Sequence, residues 1–544
     1  MAKTRLVKGG VAFFVLALFL LPLLASLAFA FQSGFSAEGW AALWRHPQLW
    51  PSLWLSLATG VAGTVLALIA ALLIVASLFE TRFWQNLSVA MGAMLAVPHV
   101  ALAVALSFLI MPAGLIARII GLFLQWQTPP QWVTTHDPFG IALTLALVLK
   151  ETPFIIWVLA GLLSREDVKL NFANQRSAAF GLGHGSGSVW LRIFIPQLFG
   201  NLLWPLVIVF VYGATVVDMS LAIGPTQPPT LATIIWADIN SEQVAHNARG
   251  AAGTIFISFS LITVLGVAWA LTKTLKPLWR ALLTEGPSTW KVPTMTGQIK
   301  HSSFIGIYAL LLVLLVVLSL AKSWPFPQLW PETSFHSWGQ ISHQSGAVVT
   351  SLVLAFTASG TALILLVAWF ETMPHHFDRP LLWASLALLG LPSLFVGLGQ
   401  YQMFLYLGLT GTGLGLFLAH LLPVMAYMMI VLAQGYRAYD LRYMVTAGSL
   451  NASLLSNLLR IKWPMLKAQI WAAFAVGFAV SVVQYIPAQL VAAGRFSTLP
   501  MEVVTLTSGA NRSLLAAFSL LLTVPPLLVY GAAALMGRSR WRHT

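Results

Sequence analysis

The sequence predicts an all-α polytopic membrane protein of about 12 transmembrane helices, set by the ~20 apolar residues that one bilayer crossing needs. Three observations predict it: the composition, the recurrence of long apolar runs, and an internal repeat. The chain has 544 residues, of which 58% are hydrophobic and 8% charged, whereas a soluble domain carries about 25% charged residues. The net charge of +14 does not point to nucleic acid. A nucleic-acid binder clusters its basic residues on one solvated face, and here they are dispersed between apolar runs. There are no cysteines, which excludes disulfides and thiolate metal sites.

The spans are expected near 10–31, 53–78, 87–112, 139–163, 199–222, 251–271, 303–321, 347–370, 381–407, 412–433, 468–490 and 514–537. The first follows the tail MAKTRLVKGG and ends beside Ala28-Phe29-Ala30, which resembles a signal cleavage site. A signal core has about 7–15 apolar residues, so the longer run from Gly9 to Phe31 reads as an uncleaved first helix. With the N-terminus inside, 22 Lys and Arg fall in inner loops and tails and 6 in outer loops. That bias places both termini in the cytoplasm. Residues 273–302, with Pro277, Pro287 and Pro293, read as a cytoplasmic linker between a first repeat, 1–272, and a second, 303–544.

The halves match in several places. Gly63-Thr64 answers Gly360-Thr361, AVPHVALAV around Pro98 answers GLPSLFVGL around Pro392, and Pro153 answers Pro423. Val216-Val217-Asp218 answers Val482-Val483-Gln484, and Thr230-Leu231 answers Thr498-Leu499. Six helices separate equivalent parts, an even number, so the repeats are expected to be parallel.

The most informative pair is the inner loops SAAFGLGHGSGSVWLRIFIP (177–196) and VTAGSLNASLLSNLLRIKWP (445–464). Gly183 precedes Pro196 by 13 positions, and Asn451 precedes Pro464 by 13. Residues four apart share a helix face, so Ala179 with Gly183, and Ala447 with Asn451, are expected to form shallow docking surfaces. Pro196 suits the first turn of the next helix.

These loops resemble the cytoplasmic EAA loop of binding-protein-dependent ABC importer permeases: EAA, three residues, Gly, nine residues, I-x-L-P. Ser177, Ala178, Ala179, Gly183, Ile193 and Pro196 stand at the motif positions of the first copy. Thr446, Ala447, Asn451, Ile461 and Pro464 stand at those of the second. The chain departs from the motif at Ser177 for Glu and Ile195 for Leu, and in the second copy at Val445, Thr446, Asn451 and Trp463. The resemblance runs from about Ser52 to Gly537 and is to fused permeases of the iron(III), thiamine and YnjC-type systems; GRFSTLPMEVVTLTSG (494–509) is most similar to the YnjC type. It implies a type I ABC importer permease fold in the bacterial inner membrane. It also implies a cytoplasmic ABC ATPase dimer whose grooves seat the two loops, and a periplasmic solute-binding protein.

The chain has no GxxxxGK[ST] loop to cradle a nucleotide, so ATP is expected on the partner, with no cofactor, catalytic residue or metal site in this chain. His375-His376 beside Asp378 reads as a solvated face. Intramembrane ionisable groups are functional candidates by default, and His99, His420, Lys150, Glu151, Asp218 and Gln484 fall in spans. Lys150, Glu151, Asp218 and Gln484 are read either as interhelical clamps or as the lining of a translocation path. The outer loops 224–249 and 494–512 are either solvated connectors or the seat of a binding protein. An ion-gradient-driven secondary transporter is the alternative reading, since parallel repeats occur there too.

Overall fold

The computed structural model describes residues 2–34, 36–79, 81, 83–284, 297–343, 345–449 and 453–537. Asn451, Arg82 and the centre of the expected linker lie outside the described residues. Among the described residues, nine helices are long and apolar enough to cross a membrane, or eleven if each of two bent pairs is one span. Phe304–Ser319 is a shorter apolar helix. The only strands among these residues are Ala321–Ser323 and Glu332–Thr333, an antiparallel pair.

The many-span helical architecture therefore holds, but the count of twelve is not reached among the described residues: the spans expected over 199–222 and 468–490 end at Thr215 and Val482, each followed by a short helix, and two others break at proline or glycine. The span expected over 87–112 is two helices, Phe83–Ala96 and His99–Ile110, parted at Pro98. The span expected over 381–407 is His375–Leu389 and Ser393–Tyr406, bent by 104° around Gly390 and Pro392. Proline supplies no N–H to the helical ladder and its ring crowds the preceding turn, so both breaks have a covalent cause.

The chain packs as two compact units: 1–32 with 96–98 and 336–544, and 33–95 with 99–335. Packing thus crosses the repeat boundaries. The N-terminal helix belongs to the unit built mainly from the second half, where Val15 and Phe19 join a buried cluster with Leu366, Trp369 and Met425. The helix Gly297–Ser319 belongs to the other unit. There the Tyr308 hydroxyl donates to the Leu149 carbonyl at 2.6 Å. That carbonyl is the one Pro153, four residues on, leaves without its helical donor.

Within each unit the same helices pair. Leu49–Leu78 packs on Ile141–Leu163 and on Ile195–Thr215; Ser345–Thr372 packs on Gly413–Ala438 and on Lys467–Val482. Leu231–Ile239 lies on Val244–Thr274 as Leu499–Thr507 lies on Arg512–Gly537. Gly60 marks one close crossing: a Cβ there would stand 2.9 Å from the Ala214 backbone nitrogen.

The hydrogen bonds set the register of the repeat. The Leu231 N–H donates to Ser56 Oγ at 2.8 Å, and the Leu499 N–H donates to Ser351 Oγ at 2.8 Å. Thr230-Leu231 and Thr498-Leu499 are therefore equivalent, as the sequence suggests. Ser56 and Ser351 are then equivalent as well, which pairs Gly63 with Ala358. Both of these are buried, whereas a Cβ on Gly360 would meet nothing within 4 Å. The expected pairing of Gly63-Thr64 with Gly360-Thr361 is thus displaced by two residues, because burial rather than residue identity fixes which face meets the neighbouring helix.

Candidate functional site

The first loop grows out of the helix Glu166–Gly181. It ends as helices ending on glycine do: the His184 N–H donates to the Ala179 carbonyl at 3.0 Å, and Gly183 takes φ +84°. A left-handed φ favours a residue without Cβ, so Gly183 closes the helix and does not extend its face. Ala179 is 3% exposed and turns inward. The expected face of Ala179 with Gly183 is therefore corrected. The outward surface is Ser177, Ala178, Phe180 and Leu182, with Phe180 48% and Leu182 70% exposed. The chain continues through Ser186–Val189 and a π-turn, Trp190–Phe194, into Ile195–Thr215 with Pro196 in its first turn. Ile193 is half-buried in that π-turn.

The described part of the second loop, past the position of Asn451, repeats the short helix and π-turn 268 positions later. Its π-turn, Leu458–Lys462, holds Ile461 half-buried, and Pro464 opens the following turn. Val445 and Thr446 are exposed and Ala447 is buried, as Ser177 and Ala178 are exposed and Ala179 is buried. A π-turn is rare and occurs mostly as a single turn inside a helix, frequently at functional sites. Its recurrence at one offset binds the two loops into one design.

The interiors of the loops differ. Behind the first, Phe194 stacks on Phe172 with ring centres 4.1 Å apart, and Trp190 meets Phe79 edge-on at 5.7 Å. Behind the second, Lys462 occupies the place of Phe194. It pairs with Glu371 at 2.7 Å, and the Trp463 indole donates to the same carboxylate at 3.1 Å.

The polar residues of the spans separate into clamps and a small charged group. Lys150 Nζ donates to the Leu95 carbonyl at 3.0 Å and the Met94 carbonyl at 3.4 Å. Pro98 deprives the Met94 carbonyl of its helical donor, so the ammonium closes a broken helix. Glu151 turns elsewhere, with Oε1 3.3 Å from His99 Nε2. The His99 ring lies 4.5 Å from that of Tyr212, and Asp218, half-buried at the start of Asp218–Ile223, is within electrostatic reach of His99. The structure thus brings Glu151 to His99, with Asp218 in electrostatic reach of the same ring, while the Lys150 ammonium is engaged by the two carbonyls. In the sequence His99 stands as an isolated group, because 52 positions separate it from Glu151 and nothing local pairs them.

Gln484 is half-buried, but it is not the equivalent of Asp218. Val217 and Tyr485 each precede a short helix with matching backbone angles, φ −102° and −105°. That register, again 268 positions, sets Asp218 against Ile486 and Gln484 against Val216. His420 stands in the second half where Lys150 stands in the first, counting from Pro423 and Pro153; its Nδ1 lies 3.0 Å from Ser481 Oγ. His375 pairs with the buried Asp378 at 3.4 Å, and no group of three metal-ligating side chains occurs among the described residues. The outer loops are more ordered than connectors: Leu231–Ile239 and Leu499–Thr507 are short helices with buried faces, and Arg249 Nε donates to Asp238 at 2.7 Å.

No family model matches the chain. It is similar to the inner membrane ABC transporter permease protein YnjC of Escherichia coli (strain K12), with 29% identity over 519 residues, covering 95% of this chain and 94% of that protein. The alignment runs through both loops and both halves, and the polytopic helical fold fits a permease. Over nearly its whole length the chain is therefore similar to an ABC transporter permease, the transmembrane subunit of such a transporter.

Proposed function

We propose that the chain is the fused, two-repeat permease of an importer, moving a small solute handed over by a soluble binding protein. The repeats are 1–272 and 303–544, joined by 273–302. One observation carries the reading: two loops that share an exposed-exposed-buried run, at 177–179 and 445–447, and the same π-turn, 268 residues apart. One chain would so offer two equivalent seats to an ATPase dimer. Exposed Phe180 and Leu182 supply apolar contacts on the first seat, and Val445 on the second.

In this reading ATP binds and is hydrolysed on the partner, and this chain contributes no catalytic residue. Both termini and both loops face the cytoplasm, in keeping with the 22-to-6 basic bias, and the membrane is the inner membrane of a bacterium. Glu151 and Asp218, gathered near His99, are the residues we assign to the translocation path together with Gln484; carboxylates there favour a cationic or polar solute. Lys150 is a clamp. Co-purification tests the reading: the chain isolated from mild detergent should carry an ABC ATPase, and its absence under conditions that retain other membrane complexes would contradict it. The solute follows from thermal-shift screening of the binding protein, since a ligand stabilises the state it binds.

A further inference from the structure

We propose that Glu371 is a positioning residue that fastens the second loop to the end of the helix Ser345–Thr372, so that force on that loop enters the membrane through this helix. The inference rests on reading the loops as ATPase seats and names the element each one drives.

Glu371 is the penultimate residue of Ser345–Thr372. Its two oxygens are divided between two donors of the loop: Oε2 takes the Lys462 ammonium at 2.7 Å and Oε1 the Trp463 indole at 3.1 Å. Those donors are consecutive, at the junction where the π-turn passes into Trp463–Met465. The Lys462 ammonium also lies over the rings of Tyr436 and Tyr439, at 5.0 and 5.6 Å, which holds it from above. The side chains are 9% and 15% exposed, so salt screens the pair far less than a surface pair. A divided carboxylate fixes direction as well as distance, which a hydrophobic contact does not.

The other repeat fastens its loop to the equivalent helix by different chemistry. Phe79, the residue that ends Leu49–Leu78, meets Trp190 of the first π-turn. Leu49–Leu78 and Ser345–Thr372 are the same helix of the two repeats by the Ser56 and Ser351 bonds. Both loops are therefore tied to the end of that helix, one by aromatic contact and the other by charge. Only the second tie is open to removal by a single isosteric change.

The test is made in the full chain, which has no cysteine of its own. Nitroxide labels on Ser453→Cys and Pro374→Cys report the distance between loop and helix end in the purified permease. The unaltered clasp should give one narrow distance; Glu371→Gln should broaden it, Glu371→Asp should keep it narrow, and Glu371→Lys with Lys462→Glu should restore it. In the complex with its ATPase, Glu371→Gln should leave the ATPase bound and MgATP hydrolysis running. There, MgATP with vanadate should shift the loop label while the helix label, read against a fixed position in the same unit, no longer follows. Equal widths for wild type and Glu371→Gln would overturn the clasp. A helix label that still follows the loop in Glu371→Gln would overturn its role in transmission. Failure of any ATPase to bind the wild type would instead overturn the coupling reading and leave the distance measurement on the permease alone decisive for the clasp.

Discussion

Lys150 Nζ stands 3.0 Å from the Leu95 carbonyl and 3.4 Å from that of Met94, where Pro98 interrupts the helix. An unpaired carbonyl buried in protein costs about 1–3 kcal/mol. Lys150→Met keeps the length of the side chain and removes the donor, so it should lower the midpoint of thermal unfolding in detergent. A variant that melts with the wild type would show that the ammonium is not what closes the break.

The two serine bonds give a paired prediction. Ser56→Ala and Ser351→Ala each leave a buried helix-opening N–H, that of Leu231 or Leu499, without its acceptor. Each should cost about 1–3 kcal/mol, and the double variant should lose close to the sum, because the bonds share no residue. Calorimetry on the three variants measures this, and a large loss in one half with none in the other would break the equivalence.

Gly183 makes a prediction about backbone rather than surface. At φ +84° an alanine costs about 1–2 kcal/mol, while asparagine tolerates that region better. Gly183→Ala should reduce the ATPase retained on the purified complex, and Gly183→Asn should retain more of it than Gly183→Ala. Retention by alanine equal to wild type would return the glycine to a role on the docking face.

Asp218→Asn preserves size and hydrogen-bonding capacity while deleting the charge. As a path residue near His99, Asp218 should be dispensable for folding, so the variant should melt with the wild type, bind its ATPase and transport more slowly. Uptake at the wild-type rate would remove Asp218 from the path.

Much of this architecture is legible in the sequence, and the gaps have physical causes. The loop spacing from Gly183 to Pro196 survives because it encodes a helix end and a π-turn, both local features. Pro98 and Pro392 mark real helix breaks for the same reason. The pairing of Gly63 with Gly360, and of Asp218 with Gln484, fails by two residues each time. Matching dipeptides carry no information on which face is buried, and the bonds of Ser56 and Ser351 do. The meeting of His99 with Glu151, and the tie of Glu371 to Lys462, join residues far apart in the chain, and no periodicity within one helix announces them. The Ala179 face is not legible from spacing, because helical periodicity does not carry through Gly183, the residue that ends the helix.

The central claim is that one chain presents two equivalent seats to an ATPase dimer, and cross-linking tests it most directly. Ser177→Cys and Val445→Cys, each exposed and each the only cysteine of its variant, would be treated with a short bismaleimide in the complex bearing single-cysteine ATPase subunits. Both variants should cross-link to the ATPase with similar yield, and both should be shielded from a small maleimide when the ATPase is bound. Cross-linking at Ser177 alone, or at neither position while the ATPase remains bound, would contradict the two-seat account.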